Sequence, residues 1–546
     1  MFVSFEQSNK IFVVLVMEKF RNFGNRFVGK SQKFFCVGNF LLNYIEISKY
    51  RRYKKKKARI GVYSVGLNTY WGQFPELEKH MKMYNAFVAE KIKGFGAEVY
   101  NFGLVDTEAK AKACGEYFNA HNVDIIFLHG ATYATSATVV PVHRICKAKT
   151  IILNLQPCRR VNYQKTTTGE WLAHCNACVI PEISNAFNRC GIEYEIISGL
   201  LGLSETPYMS LTEENTQDAP EAKRVWREVE EWVKAAGAVR TLQNTRFGFL
   251  GNTYSGMLDL YSDFTMLTGQ SGVHIEVLEM CDLKSVFDAV TEEDVKEQRR
   301  KIEDLFYISG DSPSEPLAKK PSEEQMNWSA HVAAAEQKLV DKFSLGGLAY
   351  YYHGMNNSEY EKLQEGFIVG FSLLTANHVP CAGEGDLKTA IAMKICDSLD
   401  VGGSFCEIVT TDYIDGTILL GHDGPFHIKI ANGKPILREM GLYHGKRGSG
   451  ISVEAKVKRG DVTNLGLTQT VDGKLKLIIS EGVATDGEIM QIGNTQTPVK
   501  FSVDPDTYME KWFKEAPTHH FAMSVGKNAK LFEKVAKLLH INYVIL

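Results

Sequence analysis

One-sided charge is absent from this sequence. Lys and Arg total 62 against 64 Asp and Glu, for a formal net charge of −2. No global field draws such a chain to nucleic acid or an anionic membrane. A paired-cysteine framework is missing too. The 11 cysteines are odd in number and scattered, and the one CxxC, Cys175 with Cys178, has no second CxxC to complete a zinc knuckle. Reduced thiols in a reducing, cytoplasmic compartment are expected. The N-terminal apolar run 11–17 has seven residues, against the ~20 that a membrane span requires. No small-residue cleavage site follows it, so neither a span nor a secretory leader is expected. Residues 1–57, with a basic cluster at 49–57, are expected to be a solvated, disordered extension. No internal repeat suggests a solenoid.

What is present is an ordinary globular composition, 44% hydrophobic and 23% charged, over 546 residues. One core stops growing at roughly 250–300 residues, so several domains are expected. From Arg59 short apolar runs alternate with amphipathic stretches. Strands are expected at 59–65, 98–102, 124–128 and 150–155, with helices at 79–94 and 107–120. This is the pattern of a parallel sheet covered by helices on both faces. A Gly, Ser, Thr and Pro-rich connection is expected at 199–220. The alternation then resumes, with helices at 221–236, 255–267, 292–306, 323–343, 360–374 and 388–398, and strands at 246–250, 273–278 and 348–352. A surface loop is expected at 311–321. Beyond Gly403 short alternating runs predominate, and Asn432-Gly433 and Asp472-Gly473 read as type I′ hairpin turns. A last helix is expected near 528–539. The fold expected is two doubly wound α/β domains, 58–220 and 221–403, followed by a β-rich, barrel-like domain, 404–546.

Four segments carry candidate chemistry. Glu384 and Asp386 stand among small residues in GEGDLKTA (383–390), immediately before a helix. Acids there often only complement the helix dipole, but the flanking glycines would let a ligand approach closely. Glu407, in SFCE (404–407), falls at the expected boundary between domains, where substrate sites gather. His422 and Asp423 share a tight turn, LGHDGP (420–425). His519 and His520 are adjacent, and in a strand adjacent side chains face opposite ways, so at most one would serve a given site. Together these groups make a mixed oxygen and nitrogen donor set that suits Mn²⁺ or a similar divalent ion. Two carboxylates beside such an ion also suit proton transfer next to a carbonyl.

GEGDLKTA resembles the GEGDWKTA segment of L-arabinose isomerases, with Leu387 in place of Trp. SFCE, with Thr411-Asp412-Tyr413 behind it, is similar to their SFMEDYTY. LGHDGP stands where they carry LGSH and also resembles the related L-fucose isomerases. THHF (518–521) is similar to their AHHTV. All four occur in the family's order. The resemblance implies that Glu384 and Glu407 are metal ligands and the acid/base pair, and that His422 and His520 are further ligands, with Asp423 and His427 left as alternatives to His422. It implies an aldose–ketose isomerase acting on a free sugar, L-arabinose first among the candidates and L-fucose or a related sugar after it, through an enediol with Mn²⁺ bound. It also implies a homo-oligomer whose site is completed by a neighbouring subunit. Gly66–Gly72 (GLNTYWG) is similar to the family's GSQHLYG loop, which makes Asn68 and Tyr70 sugar contacts by resemblance, with Gln156 a third. Two other classes fit parts of the pattern: a non-catalytic sugar-binding protein, from the paired α/β segments, and a metal-dependent hydrolase or lyase, from the carboxylate and imidazole set.

Overall fold

The computed structural model describes residues 55–546 apart from 206–214, 312–314, 353, 355–357 and 444–445. The expected extension therefore lies, up to residue 54, outside the described residues.

Five strands form the first sheet, the central ones buried on both faces. They are β1 (Arg59–Val65), β2 (Glu98–Val105), β3 (Ile125–Gly130), β4 (Lys149–Gln156) and β5 (Tyr194–Leu200). All are parallel, in the order β2-β1-β3-β4-β5. In β1 and β3 nearly every residue is buried, as helices on both faces require. The order reverses between β1 and β3, the kind of switch point where ligand loops gather at the strands' C-terminal ends. The second sheet holds β6 (Arg246–Gly251) and β7 (His274–Leu278). After two short strands, β8 (Tyr307–Ile308) and β9 (Ala318–Lys319), it is completed by β10 (Gly347–Tyr351) and β11 (Cys381–Ala382). It too is parallel, ordered β11-β10-β6-β7.

The C-terminal part contains β12 (Gly402–Asp412), β13 (Thr417–His422), β14 (Ile436–Tyr443), β15 (Lys446–Glu454), β16 (Gly460–Gln469), β17 (Leu475–Ala484), β18 (Thr495–Phe501), β19 (His520–Val525) and β20 (Asn542–Ile545). Six of them run β16-β19-β12-β13-β18-β17, and β16 also pairs with β17, which closes an antiparallel barrel. β20 lies parallel to β17 on its outside. β14 and β15 form a hairpin that β8 and β9 extend.

The helix Leu387–Ser398 is buried along its whole length. It packs against β10 and β11 on one side and β12, β16 and β19 on the other. Its polar residues survive there because they are partnered. Lys388 reaches the Leu260 and Tyr261 carbonyls and Ser262 Oγ, and Lys394 reaches Asp397. At 12 residues it spans about 18 Å. No helix of the described residues is long and apolar enough to cross a membrane.

Several local expectations need correction. The helix expected from 255 begins only at Phe264, capped by Asp263, whose carboxylate accepts from the Met266 N–H at 3.0 Å. Gly256, at φ +95°, keeps the preceding residues in turns. The helix expected over 360–374 is two, Glu359–Gln364 and Phe367–Ala376. They part at Gly366, where a Cβ would lie 2.6 Å from Val332. Asn432-Gly433 joins no two neighbouring strands; Asn432 instead donates to the Lys456 carbonyl at 2.8 Å. Asp472-Gly473 does sit in the β16–β17 hairpin. There Thr470 N–H and Lys474 O close the loop, and Gly473 alone has positive φ. That is a three-residue loop with a left-handed glycine rather than a type I′ turn. β5 and the helices Val140–Ile145, Thr168–Ala173 and Asn176–Cys190 had no counterpart in the sequence reading.

Candidate metal centre

Glu384 stands two residues beyond the end of β11 and has φ +57°, in the left-handed region. A non-glycine residue there costs about 1–3 kcal/mol, and its neighbours must hold it. They do. Its carbonyl accepts from the Tyr254 N–H at 3.0 Å, and the next residue, Gly385, donates to the Tyr350 carbonyl at 3.0 Å. Gly385, at φ +73°, has no room for a side chain, since a Cβ would lie 2.4 Å from the Asn252 carbonyl oxygen. The glycine after Glu384 therefore serves the protein's own backbone packing. Asp386 then caps the buried helix, accepting from the Thr389 N–H at 2.9 Å and its hydroxyl at 2.7 Å.

The barrel supplies the other groups. On β12, Glu407 is paired directly with His520 of β19 and with Gly421 of β13. Directly opposed residues of antiparallel strands share a face, so the register sets the carboxylate of Glu407 beside the imidazole of His520. His422 is the last residue of β13, tied to Thr495 through both its N–H and its carbonyl at 2.9 Å. Beneath both imidazoles lies Phe405, with ring centroids 4.7 Å from His422 and 4.3 Å from His520.

These side chains converge. His422 Nε2 lies 3.2 Å from His520 Nε2. Glu384 Oε2 lies 3.5 Å from His520 Nε2 and 3.5 Å from His519 Nε2, and Glu384 Oε1 lies 4.0 Å from His422 Nε2. Donor atoms of Glu407, His422 and His520 all fall within 4.8 Å of one another, as do those of Glu384, His519 and His520. His520 belongs to both groups.

His519 differs from expectation. It precedes β19 rather than lying in it, so strand alternation does not apply, and its ring packs against that of His520, tilted by 44° with centroids 3.8 Å apart. Asp259, in the turn before Phe264, holds it through Nδ1 at 2.6 Å and the backbone N–H at 3.0 Å.

The electrostatics follow from burial set against neighbouring charge. Burial alone would raise the Glu384 carboxyl, but His519, His520 and His422 outweigh it and hold it below the usual carboxylate range. Asp386 is fully buried and likewise held low, chiefly by His520 and Lys388. His520 Nδ1 lies 3.1 Å from Asp386 Oδ2. An ionised acceptor there fixes the proton on Nδ1 and turns the Nε2 lone pair toward the cluster. Burial presses His422 down, but Asp423, 3.0 Å from its Nδ1, with Glu407 and Glu384, lifts it to about 9. His519 is likewise pressed down by burial and lifted to about 9 by Glu384 and Asp259.

A divalent cation fits this arrangement. Two Nε2 atoms 3.2 Å apart repel unless a proton or a cation lies between them. The buried Glu384 Oε2 makes no close hydrogen bond, and the two imidazole nitrogens beside it stand 3.5 Å away. Donors about 2.1 Å from a shared ion sit roughly 3.0–3.4 Å apart, close to the shorter spacings here. No cysteine enters either group among the described residues, so the donors are carboxylate oxygen and imidazole nitrogen.

The remaining sequence candidates fall at other positions in the fold. Asn68 and Tyr70 occupy a short 3₁₀ turn after β1, and Gln156 ends β4, all at the C-terminal edge of the first sheet. His427 lines a different cavity and is absent from both groups. Asp423 stands behind His422 rather than beside Glu384. Asp386 and His519 stood in candidate segments without an assigned role, and Asp259 and Phe405 had none. Asp386 was legible as an N-cap acid ahead of a helix; Asp259, 260 residues before the histidine it binds, had no local signal.

The chain matches no family model, and no curated protein matches it either.

Proposed function

We propose that the protein is a metal-dependent aldose–ketose isomerase of a free sugar, with L-arabinose to L-ribulose the first candidate and L-fucose or a related sugar the next. The observation that carries this reading is that two donor groups, Glu407 with His422 and Glu384 with His519, share His520, which brings side chains from the second sheet and the barrel together. Glu384, Glu407, His422 and His520 would hold the ion, with Mn²⁺ the expected species for a carboxylate and imidazole set. Bound there, it would polarise the sugar's carbonyl and adjacent hydroxyl.

The chain's own residues supply the rest. One of Glu384 and Glu407 takes the proton from C2 and returns it to C1, while the other moves the hydroxyl proton from O2 to O1. The product is the ketose of unchanged mass. Asp386 keeps the His520 lone pair aimed at the site, and Asp423 anchors His422. Phe405 packs beneath both imidazoles and excludes water. The reading includes a homo-oligomer in which the first-sheet edge of one copy, with Asn68, Tyr70 and Gln156, completes the site of another. The unpaired thiols of the described cysteines favour a reducing, cytoplasmic location.

The test is incubation of the purified chain and Mn²⁺ with a panel of aldoses that includes L-arabinose, L-fucose, D-arabinose and D-galactose. Ketose formation without change of mass supports the reading and names the sugar. No conversion by a chain shown to bind the ion refutes it in favour of a sugar-binding protein, and a product of altered mass refutes it in favour of a hydrolase or lyase.

A further inference from the structure

A second cavity, of about 450 Å³, opens at the far end of the buried helix Leu387–Ser398, where that helix, β12, β19 and the loop 427–430 meet. It is distinct from the carboxylate and imidazole centre. The helix places Asp386 at one end and Asp397 at the other, about 16 Å apart at 1.5 Å per residue. Strand β12 likewise sends Gly402 to the cavity and Glu407 to the centre, five residues and about 16 Å along. The volume is that of a small-molecule site.

The charges of its lining do not cancel. Asp397 is neutralised from within, by Lys394 at 3.0 Å and by His378 Nδ1 at 2.7 Å. Asp400 is paired with Lys55. Among the described residues neither Lys429 nor Lys458, both of which line the cavity, has a carboxylate within ion-pair distance. The Lys458 ammonium reaches only the Lys429 carbonyl, at 2.9 Å. The cavity therefore presents two uncompensated ammonium groups. His427 shares this lining; it is 5% exposed, its backbone N–H donates to Ser404 Oγ at 3.2 Å, and its ring Nδ1 has no partner. A buried ring nitrogen without a partner costs free energy, so something that hydrogen-bonds is expected beside it. Burial also pushes His427 down to about 4, so near neutral pH the ring carries a single N–H and adds no charge of its own.

We propose that this cavity binds a small phosphate-bearing anion, held by the ammonium groups of Lys429 and Lys458 and by the ring of His427. The dianionic oxygens of a phosphate accept from both ammonium groups and from the ring N–H in charge-assisted hydrogen bonds. A cation would meet two unopposed positive charges, and an uncharged ligand would leave them unanswered. The proposal does not depend on the isomerase reading.

Calorimetric titration of the metal-free full-length chain tests it, with inorganic phosphate in one arm and glycerol 3-phosphate in the other. The expected result is saturable one-site binding, weakened by about tenfold or more in Lys429→Ala/Lys458→Ala, because two charged hydrogen bonds are lost. His427→Phe, which fills the space and removes the ring nitrogens, is expected to weaken it further. Glu384→Gln should leave it unchanged, since that residue belongs to the other site. Tighter binding of glycerol 3-phosphate than of phosphate would identify an esterified ligand, and the reverse order free phosphate. Absence of saturable binding in both arms overturns the proposal. So does binding that survives unchanged in the double lysine variant, whose exposed side chains can be removed without unfolding the chain.

Discussion

Replacing Asp386 with Asn removes a charge behind His520 while keeping the side chain's shape. Asp386 makes three contacts: Thr389 N–H at 2.9 Å, Thr389 hydroxyl at 2.7 Å and His520 Nδ1 at 3.1 Å. Asn is as good an N-cap as Asp, so the buried helix keeps its start, and the ~0.5–2 kcal/mol that loss of a cap would cost does not arise. What changes is the ring. Without the carboxylate the imidazole is a poorer donor ligand, and the amide can turn its NH₂ toward Nδ1 and move the proton to Nε2, which then faces the cluster as a donor. Outer partners of metal-binding histidines are typically worth 10–100-fold in affinity, or about 1.4–2.7 kcal/mol. Asp386→Asn is therefore expected to weaken Mn²⁺ binding by that range in calorimetric titration, with a melting temperature of the metal-free chain within a few degrees of wild type. Unchanged affinity would refute the argument that Asp386 orients His520 for a cation. Collapse of the fold would show instead that the residue is first of all structural.

Glu384→Gln and Glu407→Gln are each expected to lower turnover to near background in a ketose assay, and full activity in either removes the acid/base pair. Gly385→Ala should destabilise the chain by at least about 2 kcal/mol in urea unfolding, since its Cβ would lie 2.4 Å from the Asn252 oxygen at positive φ; a neutral result would mean that the 252–254 segment yields easily. In the metal-free chain His422 and His519 are both raised to about 9 from an unfolded value near 6.5. Their protonation thus contributes stability that is complete below about pH 6.5 and lost as pH rises through 9. The metal-free melting temperature should fall over that window, and saturating Mn²⁺ should lessen the fall because the ion displaces the His422 proton. A metal-free chain that grows more stable from pH 6.5 to 9 would contradict the charge assignment.

The segments that were legible in the sequence are those whose role is written locally. β1 and the helix Glu323–Phe343 follow from one apolar run and one capped amphipathic stretch, Ser322 with Gln325. GEGDLKTA carries Glu384 and its tight turn within eight residues. The missing pieces depend on register and on distant partners. His519 was misjudged because alternation was applied to a residue just outside β19. Asp259 sits in a stretch whose apolar spacing suggested a helix, yet the Lys388 ammonium gathers the carbonyls of Leu260 and Tyr261 and the turn delivers the carboxylate to His519. That Glu407 faces His520 is a property of antiparallel pairing between β12 and β19, 113 residues apart in sequence, and no local pattern encodes it. β5 was missed because its exposed and buried residues mix irregularly, which blurs both helical and strand periods.

The most direct test of the account joins metal content to turnover in one sample. The chain is stripped by chelation until elemental analysis finds no transition metal, assayed for ketose on the responsive sugar, then titrated with Mn²⁺ and assayed again. The account predicts no turnover in the stripped chain and recovery in proportion to bound Mn²⁺, saturating at one ion per site. Ketose formed at the wild-type rate by the metal-free chain would contradict it.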